Sequence, residues 1–494
     1  MNRLARMMVL TLALLCLFTI GAGAAIARLL PPRLALFEMP QVRAVGLAGP
    51  GAALRGVTGL AASGQGAVAT AAGVSASLDG LMHSGDLGSQ AGALVTNLST
   101  GQVLYALNPA TGFAPASTTK LATAVAALDT LGPDARFTTL VRTGGSAARA
   151  ASAVTSIVLV GGGDPTLAAG RYPAADYPQP ATLSSLAAAT AKGLRARGVS
   201  SVRLSYDASR FSGPEVAAGW KPVGAPGNYI SSGNVTPITG LELDQGRLTA
   251  RGTPDDSDDP ANYRPRSLTP SLDAARAFAG FLRKDGITIH GRPSAVRART
   301  ASGNGAVLAA VHSPSLAAIV QQMLSESNNV IAETLARQVA VATGRPGTFS
   351  GAAAAVMAVD ARLRVSGLHL YDGSGLSPLD RITPQALVRL VGLAARTGPG
   401  SLRPVITGLP VAGFSGTLGP GSFFGPFGRT ALGTVRAKTG NLTHVATMAG
   451  VAYTAGGQLL GFAFMGNDIP QKLGVQPEAA LAQLATALAG CGCG

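Results

Sequence analysis

Three short motifs stand in a fixed order along this 494-residue chain: Ser117-Thr118-Thr119-Lys120, Ser327-Asn328-Asn329 and Lys438-Thr439-Gly440. They read Ser-x-x-Lys, Ser-x-Asn and Lys-Thr-Gly. Their spacing constrains the fold more than any other feature. Ser117 and Ser327 are 210 positions apart, and Lys438 lies 111 positions beyond Ser327. A chain that uses all three together must fold its two ends into one unit and carry a separate body in the first gap. Chance gives roughly 0.4 matches to Ser-x-x-Lys and roughly 0.06 to Lys-Thr-Gly in a chain of this composition. Ser-x-Asn also occurs at Ser232 and Ser302, each time with Gly in the middle of a Gly-rich stretch, which reads as a turn. Only Ser327 lies between two apolar helical stretches, Leu316 to Leu324 and Val330 to Val341.

Lysine usage sharpens the point. The chain has 33 arginines and six lysines, and two of the six fall inside the motifs. Arginine cannot give up its proton near neutral pH, whereas a desolvated lysine can. A base at position 120 could not be Arg.

The length exceeds one compact core, so two or more domains are expected. Net charge is +15 and only 13% of residues are charged. A basic surface suits an anionic partner such as a wall polymer or a membrane surface. Neither zinc-finger spacing nor an aromatic-basic platform points to nucleic acid. Residues 1–27 read as an export signal: Arg3 and Arg6, then an uncharged apolar run from Met7 to Ile20, then small residues up to Ala27. Counted to Arg28, the uncharged stretch is also long enough to span a bilayer, so an uncleaved anchor is the alternative. Either way, action outside the cytoplasmic membrane is expected. Cys16 falls in the signal. Cys491 and Cys493, separated by one Gly, read as thiols of a disordered tail, because a bridge over that spacing would be strained. The histidines, at 83, 290, 312, 369 and 444, have no metal-ligand spacing, so neither metal nor cofactor is expected.

Residues 28–73, rich in Ala, Gly and Pro, read as a linker. Ala91 to Asn97 and Gln102 to Leu107 flank Ser99-Thr100-Gly101 as a hairpin. Leu121, Val125, Leu128 and Leu131 fall at helical spacing before Gly132-Pro133, which puts Ser117 at the first turn of a buried helix and Lys120 on the same face. Residues 137–302 form the expected inserted region, with a strand over Ile157 to Val160 and a helix near Ala181 to Arg197. Gly161-Gly162-Gly163 follows that strand without the Gly-Lys-Ser/Thr of a phosphate loop. Asp255-Asp256-Ser257-Asp258-Asp259 does not match a calcium loop and reads as a solvated turn. Strands are predicted over Thr434 to Lys438, Val445 to Tyr453 and Gln458 to Met465, and a last helix from Pro477 to about Leu488. Two early and three late strands would make one five-stranded antiparallel sheet from residues 74–136 and 303–489, with 490–494 as a tail.

The three motifs in this order are the signature of penicillin-binding proteins and serine β-lactamases. From about residue 75 to 488 the chain resembles the low-molecular-mass, class C (DacB-type) penicillin-binding proteins, D-Ala-D-Ala carboxypeptidases and endopeptidases. Similar stretches are Gly161-Gly162-Gly163-Asp164-Pro165-Thr166-Leu167, Asp372-Gly373-Ser374-Gly375-Leu376-Ser377, Arg381-Ile382-Thr383 and Ser415-Gly416-Thr417-Leu418. The resemblance implies an α/β fold: a penicillin-binding/β-lactamase-like transpeptidase domain interrupted by β-rich inserted domains. It implies cleavage of D-alanyl bonds in peptidoglycan stem peptides, with β-lactams acylating the same serine. Many relatives have Arg after the Asp-Gly-Ser-Gly-Leu-Ser run where this chain has Pro378, so recognition of the donor side chain should differ.

The expected roles follow. Ser117 attacks the D-Ala-D-Ala carbonyl. Lys120, its pKa depressed by burial and neighbouring positive charge, takes the proton. Ser327 relays it to the leaving amine. Asn329 holds the substrate amide, and Lys438 and Thr439 bind the terminal carboxylate. By similarity to the family, Gly440 and Asn441 complete the site, the backbone amides of Ser117 and Asn441 forming an oxyanion hole. Asp164 is a candidate acceptor for a diaminopimelate-type ammonium, against a turn residue. Two rivals are a β-lactamase and a non-catalytic wall-binding scaffold. The only Glu between Ser327 and Lys438 is Glu333, on a helix, so no Glu-bearing loop supports the first. The completeness of the motifs argues against the second.

Overall fold

The computed structural model describes residues 68–144, 154–170, 172, 177–214, 216–248, 265–297, 305–396, 402–424, 429–472 and 474–493. The signal, most of the linker and the Asp255 to Asp259 cluster lie outside the described residues. Helix α1 (Ala71–Met82) already begins inside the segment read as linker. Thr70 caps it by accepting the Gly73 N–H, and Val74, Leu78 and Met82 bury one stripe. Strands β1 (Gln90–Asn97) and β2 (Val103–Leu107) form the predicted hairpin. A 3-10 turn, Ala116–Thr119, leads into α2 (Lys120–Leu131), which ends on Gly132 at φ 81°.

The inserted region follows as β3 (Thr138–Thr143), β4 (Thr155–Val160), α3 (Leu183–Arg195), β5 (Ser201–Asp207), α4 (Pro270–Lys284), β6 (Thr288–Ile289), β7 (Ser294–Ala295) and β8 (Val307–His312). These strands make one six-stranded sheet in the order β6-β5-β4-β3-β8, with β7 also paired to β5. β3 is antiparallel to both neighbours, whereas β4–β5, β5–β6 and β5–β7 are parallel. A parallel pair needs a crossover, and α3 supplies it between β4 and β5. The region is therefore rich in strands, as expected, but layered with helices. Ile157, Leu159, Leu186, Ala187, Phe278 and Leu282 share its core. β8 pairs with β3 although it lies beyond 302, so the inserted sheet closes about ten residues later than the boundary predicted from the sequence.

The chain then returns through α5 (Leu316–Ser325), α6 (Asn329–Ala342), α7 (Phe349–Arg362), β9 (Leu368–His369), β10 (Arg381–Ile382), α8 (Pro384–Ala395), α9 (Arg403–Gly408), β11 (Val435–Leu442), β12 (Val445–Tyr453), β13 (Leu459–Asn467) and α10 (Pro477–Gly490). The main sheet runs β11-β12-β13-β1-β2, each neighbour antiparallel. Side chains alternate faces along a strand. Leu94, Ala463 and Met465 accordingly join the core of α2, α5, α6, α7 and α8, while Ala93, Val95, Phe462 and Phe464 join that of α1 and α10. This is the five-stranded sheet between helical layers that the strand reading anticipates.

The C-terminus departs from the sequence reading. Cys491 is buried in the second of these cores and joined to Cys493, whose carbonyl accepts from Thr70 N. The pair is seated against α1 rather than forming a tail of free thiols. No described helix is long and apolar enough to cross a membrane, and among the described residues no His, Cys, Asp and Glu cluster could hold a metal ion.

Candidate active site

Ser117 lies in the 3-10 turn, one step before α2. The turn is fixed from both sides. Thr118 Oγ1 donates to the Pro115 carbonyl at 2.7 Å, and Thr447 Oγ1, from β12, donates to the same oxygen at 2.7 Å. Lys120 is wholly buried at the start of α2. Its Nζ donates to Ser117 Oγ at 2.8 Å, to Asn329 Oδ1 at 2.7 Å and to the Ser374 carbonyl at 2.9 Å. One amine thus joins residues 209 and 254 positions away to the serine.

The second motif occupies the corner between α5 and α6. Ser327 adopts φ 53°, a backbone region that L-residues seldom visit, and Asn328 then caps α6 by accepting the Ile331 N–H at 3.1 Å. That corner sets Asn329 at the first helical position. Its Oδ1 faces Lys120, and its Nδ2 donates to the Asn234 carbonyl at 3.1 Å.

The third motif lies on β11, the edge of the main sheet. Pro410 to Ala412 pair with the outer edge at Val435 to Ala437 and stop before Lys438. Lys438 is buried and donates to the Thr439 carbonyl at 2.8 Å. Thr439 and Asn441, two residues apart and hence on one face, line the cavity. Gly440 permits the approach to the serine. A Cβ there would stand 2.9 Å from Ser117 N and 2.7 Å from the Pro115 carbonyl, and would also meet Thr447 Oγ1.

These segments enclose a cavity of about 590 Å³. Ser117, Ser327, Asn329, Thr439 and Asn441 line it, with Lys120 and Lys438 packed behind. The segment Gly416 to Phe424 forms one wall, and Glu478, Leu481 and Ala482 of α10 form another. The structure therefore gathers eight of the nine residues predicted from the sequence. Asp164 is the exception. It is buried in the turn after β4, where its Oδ1 accepts from Thr166 N (2.8 Å) and Thr166 Oγ1 (2.6 Å), and it is absent from the cavity lining. Burial raises its pKa to about 6. The turn-residue reading describes it. His444, close after the third motif, turns its ring to the Ile469 carbonyl.

Five residues outside the predicted set also shape the site: Asn234, Thr417, Glu333, Asp372 and Trp220. Asn234 lines the cavity and anchors Asn329, yet belongs to the Ser232-Gly233-Asn234 match that reads as a turn. Thr417 pairs its hydroxyl with that of Thr439 at 2.9 Å. Beneath the floor, Glu333 accepts the N–H groups of Gly373 and Ser374 at 2.8–3.2 Å, and Asp372 accepts those of Ser374, Gly375 and Ser377 at 2.6–3.1 Å. Trp220 Nε1 also donates to Asp372, at 2.8 Å. Together they fix the loop whose Ser374 carbonyl meets Lys120. Burial, reinforced by the charge of Asp372, raises the pKa of Glu333 to about 8, and the same two causes raise that of Asp380 well above the usual range.

A serine hydroxyl bonded to a buried lysine, at the head of a helix and beside the edge of a five-stranded antiparallel sheet, defines the penicillin-binding class of serine enzymes. Residues 74–265 and 242–488 match the D-Ala-D-Ala carboxypeptidase 3 (S13) family, and the chain belongs to it. It is 38% identical over 431 residues to a carboxypeptidase of Mycobacterium tuberculosis, covering 86% of each chain. It is 36% identical over 429 residues to the carboxypeptidase DacB of Mycolicibacterium smegmatis, covering 86% of this chain and 85% of that one. The crystal structure of penicillin binding protein 4 (dacB) from Haemophilus influenzae superposes with a TM-score of 0.63 at 23% identity, over 84% of this chain and 97% of that one. This chain is a serine-type hydrolase acting on D-Ala-D-Ala.

Proposed function

We propose that Ser117 is the nucleophile of a peptidoglycan D-Ala-D-Ala carboxypeptidase and D-alanyl endopeptidase. The observation that carries this is the Lys120 amine, shared between Ser117 Oγ, Asn329 Oδ1 and the Ser374 carbonyl. With Lys120 neutral, its lone pair takes the Ser117 hydroxyl proton as Oγ bonds to the penultimate D-Ala carbonyl carbon, while its two N–H groups stay on Asn329 Oδ1 and the Ser374 carbonyl. Ser327, across the cavity, carries a proton to the nitrogen of the departing D-Ala as the C–N bond breaks. Water then splits the ester and returns the proton to the site.

Asn329 holds the substrate amide beside its contact to Asn234. Lys438 supplies positive charge behind the Thr439 and Thr417 hydroxyls, where the terminal carboxylate docks. The backbone N–H groups of Ser117 and Asn441 receive the developing oxyanion. Both reactions share one acyl-enzyme, and the endopeptidase reaction supplies a carboxylate from one strand of a crosslink. β-Lactams acylate Ser117 by the same attack. The H. influenzae protein has also been crystallised in complex with a β-lactam. The N-terminal segment exports the chain to this substrate and serves as signal or anchor.

A β-lactamase needs a carboxylate that activates water at the acyl-enzyme. Glu333, read from the sequence as the only Glu between the second and third motifs, is engaged with backbone N–H groups under the floor and is absent from the cavity lining. The carboxylate that does line the cavity is Glu478, in the first turn of α10, so the rate of penicillin release decides between the two readings. The test is mass spectrometry after incubation with penicillin, alongside release of D-Ala from a pentapeptide. One adduct is expected, on the peptide containing Ser117, and Ser117→Ala should lose both adduct and D-Ala release. An adduct elsewhere, or D-Ala release that survives the substitution, would reject the assignment. Rapid multiple turnovers of penicillin would make the enzyme a β-lactamase.

A further inference from the structure

The inserted domain carries a second concave site, with none of the residues used above. A groove of about 460 Å³ runs between α4 and the segment joining β6 to β7. Arg276 and Arg283 line it from the helix and Arg292 from the opposite wall, with Leu272, Ala279 and Pro293 between them. Arg276 and Arg283 are two helical turns apart, so their Cα atoms are separated by about 10 Å along one face. All three arginines are exposed. No carboxylate lines the groove. The nearest acidic partner, Asp273, pairs with Arg276 at 3.2 Å in an exposed i,i+3 contact of the kind that contributes little. From residue 270 to 300 the chain holds six basic residues against two acidic ones.

Three like charges around one concavity repel each other, and exposed guanidinium groups are not needed to fill a core. An anion in the groove offsets that repulsion. Guanidinium is the group whose planar fork matches phosphate oxygens, two at a time. The spacing along α4 suits several phosphates in succession rather than one small anion. The site is concave, and no large apolar side chain of its lining is exposed for insertion into a bilayer, which favours a strand over a membrane plane.

We propose that this groove binds the phosphodiester backbone of an anionic polymer and so holds the enzyme against its insoluble substrate. The tethering role rests on action at a wall polymer, but polymer binding and acylation of Ser117 are measured separately, so either can fail alone.

The experiment uses the full chain with poly(glycerol phosphate) as probe, at about 150 mM salt. Three proteins are compared: wild type, Arg276→Gln/Arg283→Gln/Arg292→Gln, and a control, Arg345→Gln/Arg389→Gln/Arg396→Gln, which removes the same charge from exposed positions elsewhere. The groove variant should bind at least about tenfold more weakly, and the control within about twofold of wild type, because local charge-assisted contacts rather than net charge set the affinity. Penicillin acylation should be equal in all three, which also shows that the variants fold. Equal polymer binding by wild type and groove variant overturns the proposal. So does an equal loss in both variants, which would mean general charge attraction, and so does no binding by wild type. A parallel flotation with phosphatidylglycerol vesicles separates the sources of phosphate. Groove-dependent vesicle binding without polymer binding would replace the polymer by a lipid surface and sink the proposal.

Discussion

Lys120 is the residue that joins the first two motifs to the floor loop. Its amine reaches the serine, the second motif and the floor loop at once, so no neighbour of Ser117 can move without changing the proton's path. Lys120→Arg keeps a positive donor but removes the capacity to deprotonate. Acylation by penicillin should fall by about 10²–10⁴, the range for loss of a general base, in stopped-flow measurements on folded protein. A loss smaller than tenfold would take Lys120 out of the base role. Gly440 is constrained by space rather than chemistry. The added methyl of Gly440→Ala would press on Ser117 N and the Pro115 carbonyl at 2.9 and 2.7 Å. The strand must then withdraw, and the oxyanion donors separate. Misplacing one donor costs about 10²–10³ in rate, so kcat should drop by that order while the melting transition stays cooperative. Unchanged kcat would show that β11 and the serine turn are less tightly engaged than their separation indicates.

At the scale of elements, the site is a helix end, a strand edge and a loop pinned to each other. The loop depends on α6, whose Glu333 lies one turn beyond Asn329 and reaches the Gly373 and Ser374 N–H groups. It also depends on Trp220, in the connection between β5 and α4. Trp220→Phe keeps an aromatic body against Tyr229 and Phe349 but deletes the N–H given to Asp372. Stability in chemical unfolding should fall by about 1–3 kcal/mol, the cost of a buried acceptor losing a partner. D-Ala release should slow as the Ser374 carbonyl loosens. The elements that bear motifs are those legible in the sequence. Leu121, Val125 and Leu128 mark α2 by their spacing before the Gly132-Pro133 stop, and 445–453 and 459–467 mark strands as short apolar runs parted by the Gly456-Gly457 turn. Contrast fails in α7, where Ala352, Ala353 and Ala355 make most positions alike; in α4 it is clear, with Ala274, Ala275, Phe278 and Leu282 on one buried face, but the helix stands in a region whose prolines and short β-prone runs read as turns and strands. Asn234 is not legible for a different reason. Its partner is 95 residues away, and locally it is one more polar residue in a Gly-rich turn. Asp164 misleads the other way. A short motif shared with the family names it, but the fold folds its carboxylate back onto Thr166.

For the whole molecule, buried carboxylates set how stability follows pH. Asp164 is pushed to about 6 and Glu333 to about 8, with Asp360 and Asp380 also raised, in each case chiefly by burial. A carboxyl whose folded pKa exceeds its unfolded value binds its proton more tightly in the native state. Its contribution is complete below the unfolded values near pH 4 and is lost as pH climbs through the folded ones. For Asp164 that window is about pH 4–6, and for Glu333 about pH 4.5–8. The chain should therefore lose stability from mildly acid to mildly alkaline pH. Its net charge of +15 bears on the same range, because self-repulsion eases as positive charge is titrated. Glu333→Gln separates the two effects, since it cannot ionise and changes the net charge little. Whatever constant offset the amide introduces against the Gly373 and Ser374 N–H groups, the stability of wild type relative to the variant should decline from about pH 4.5 to about pH 8 and level off above that. The measurement is a series of unfolding midpoints for both proteins across that interval. A difference that stays flat would mean Glu333 is ionised throughout, and the loop that presents the Ser374 carbonyl to Lys120 would then rest on a charged carboxylate rather than a protonated one.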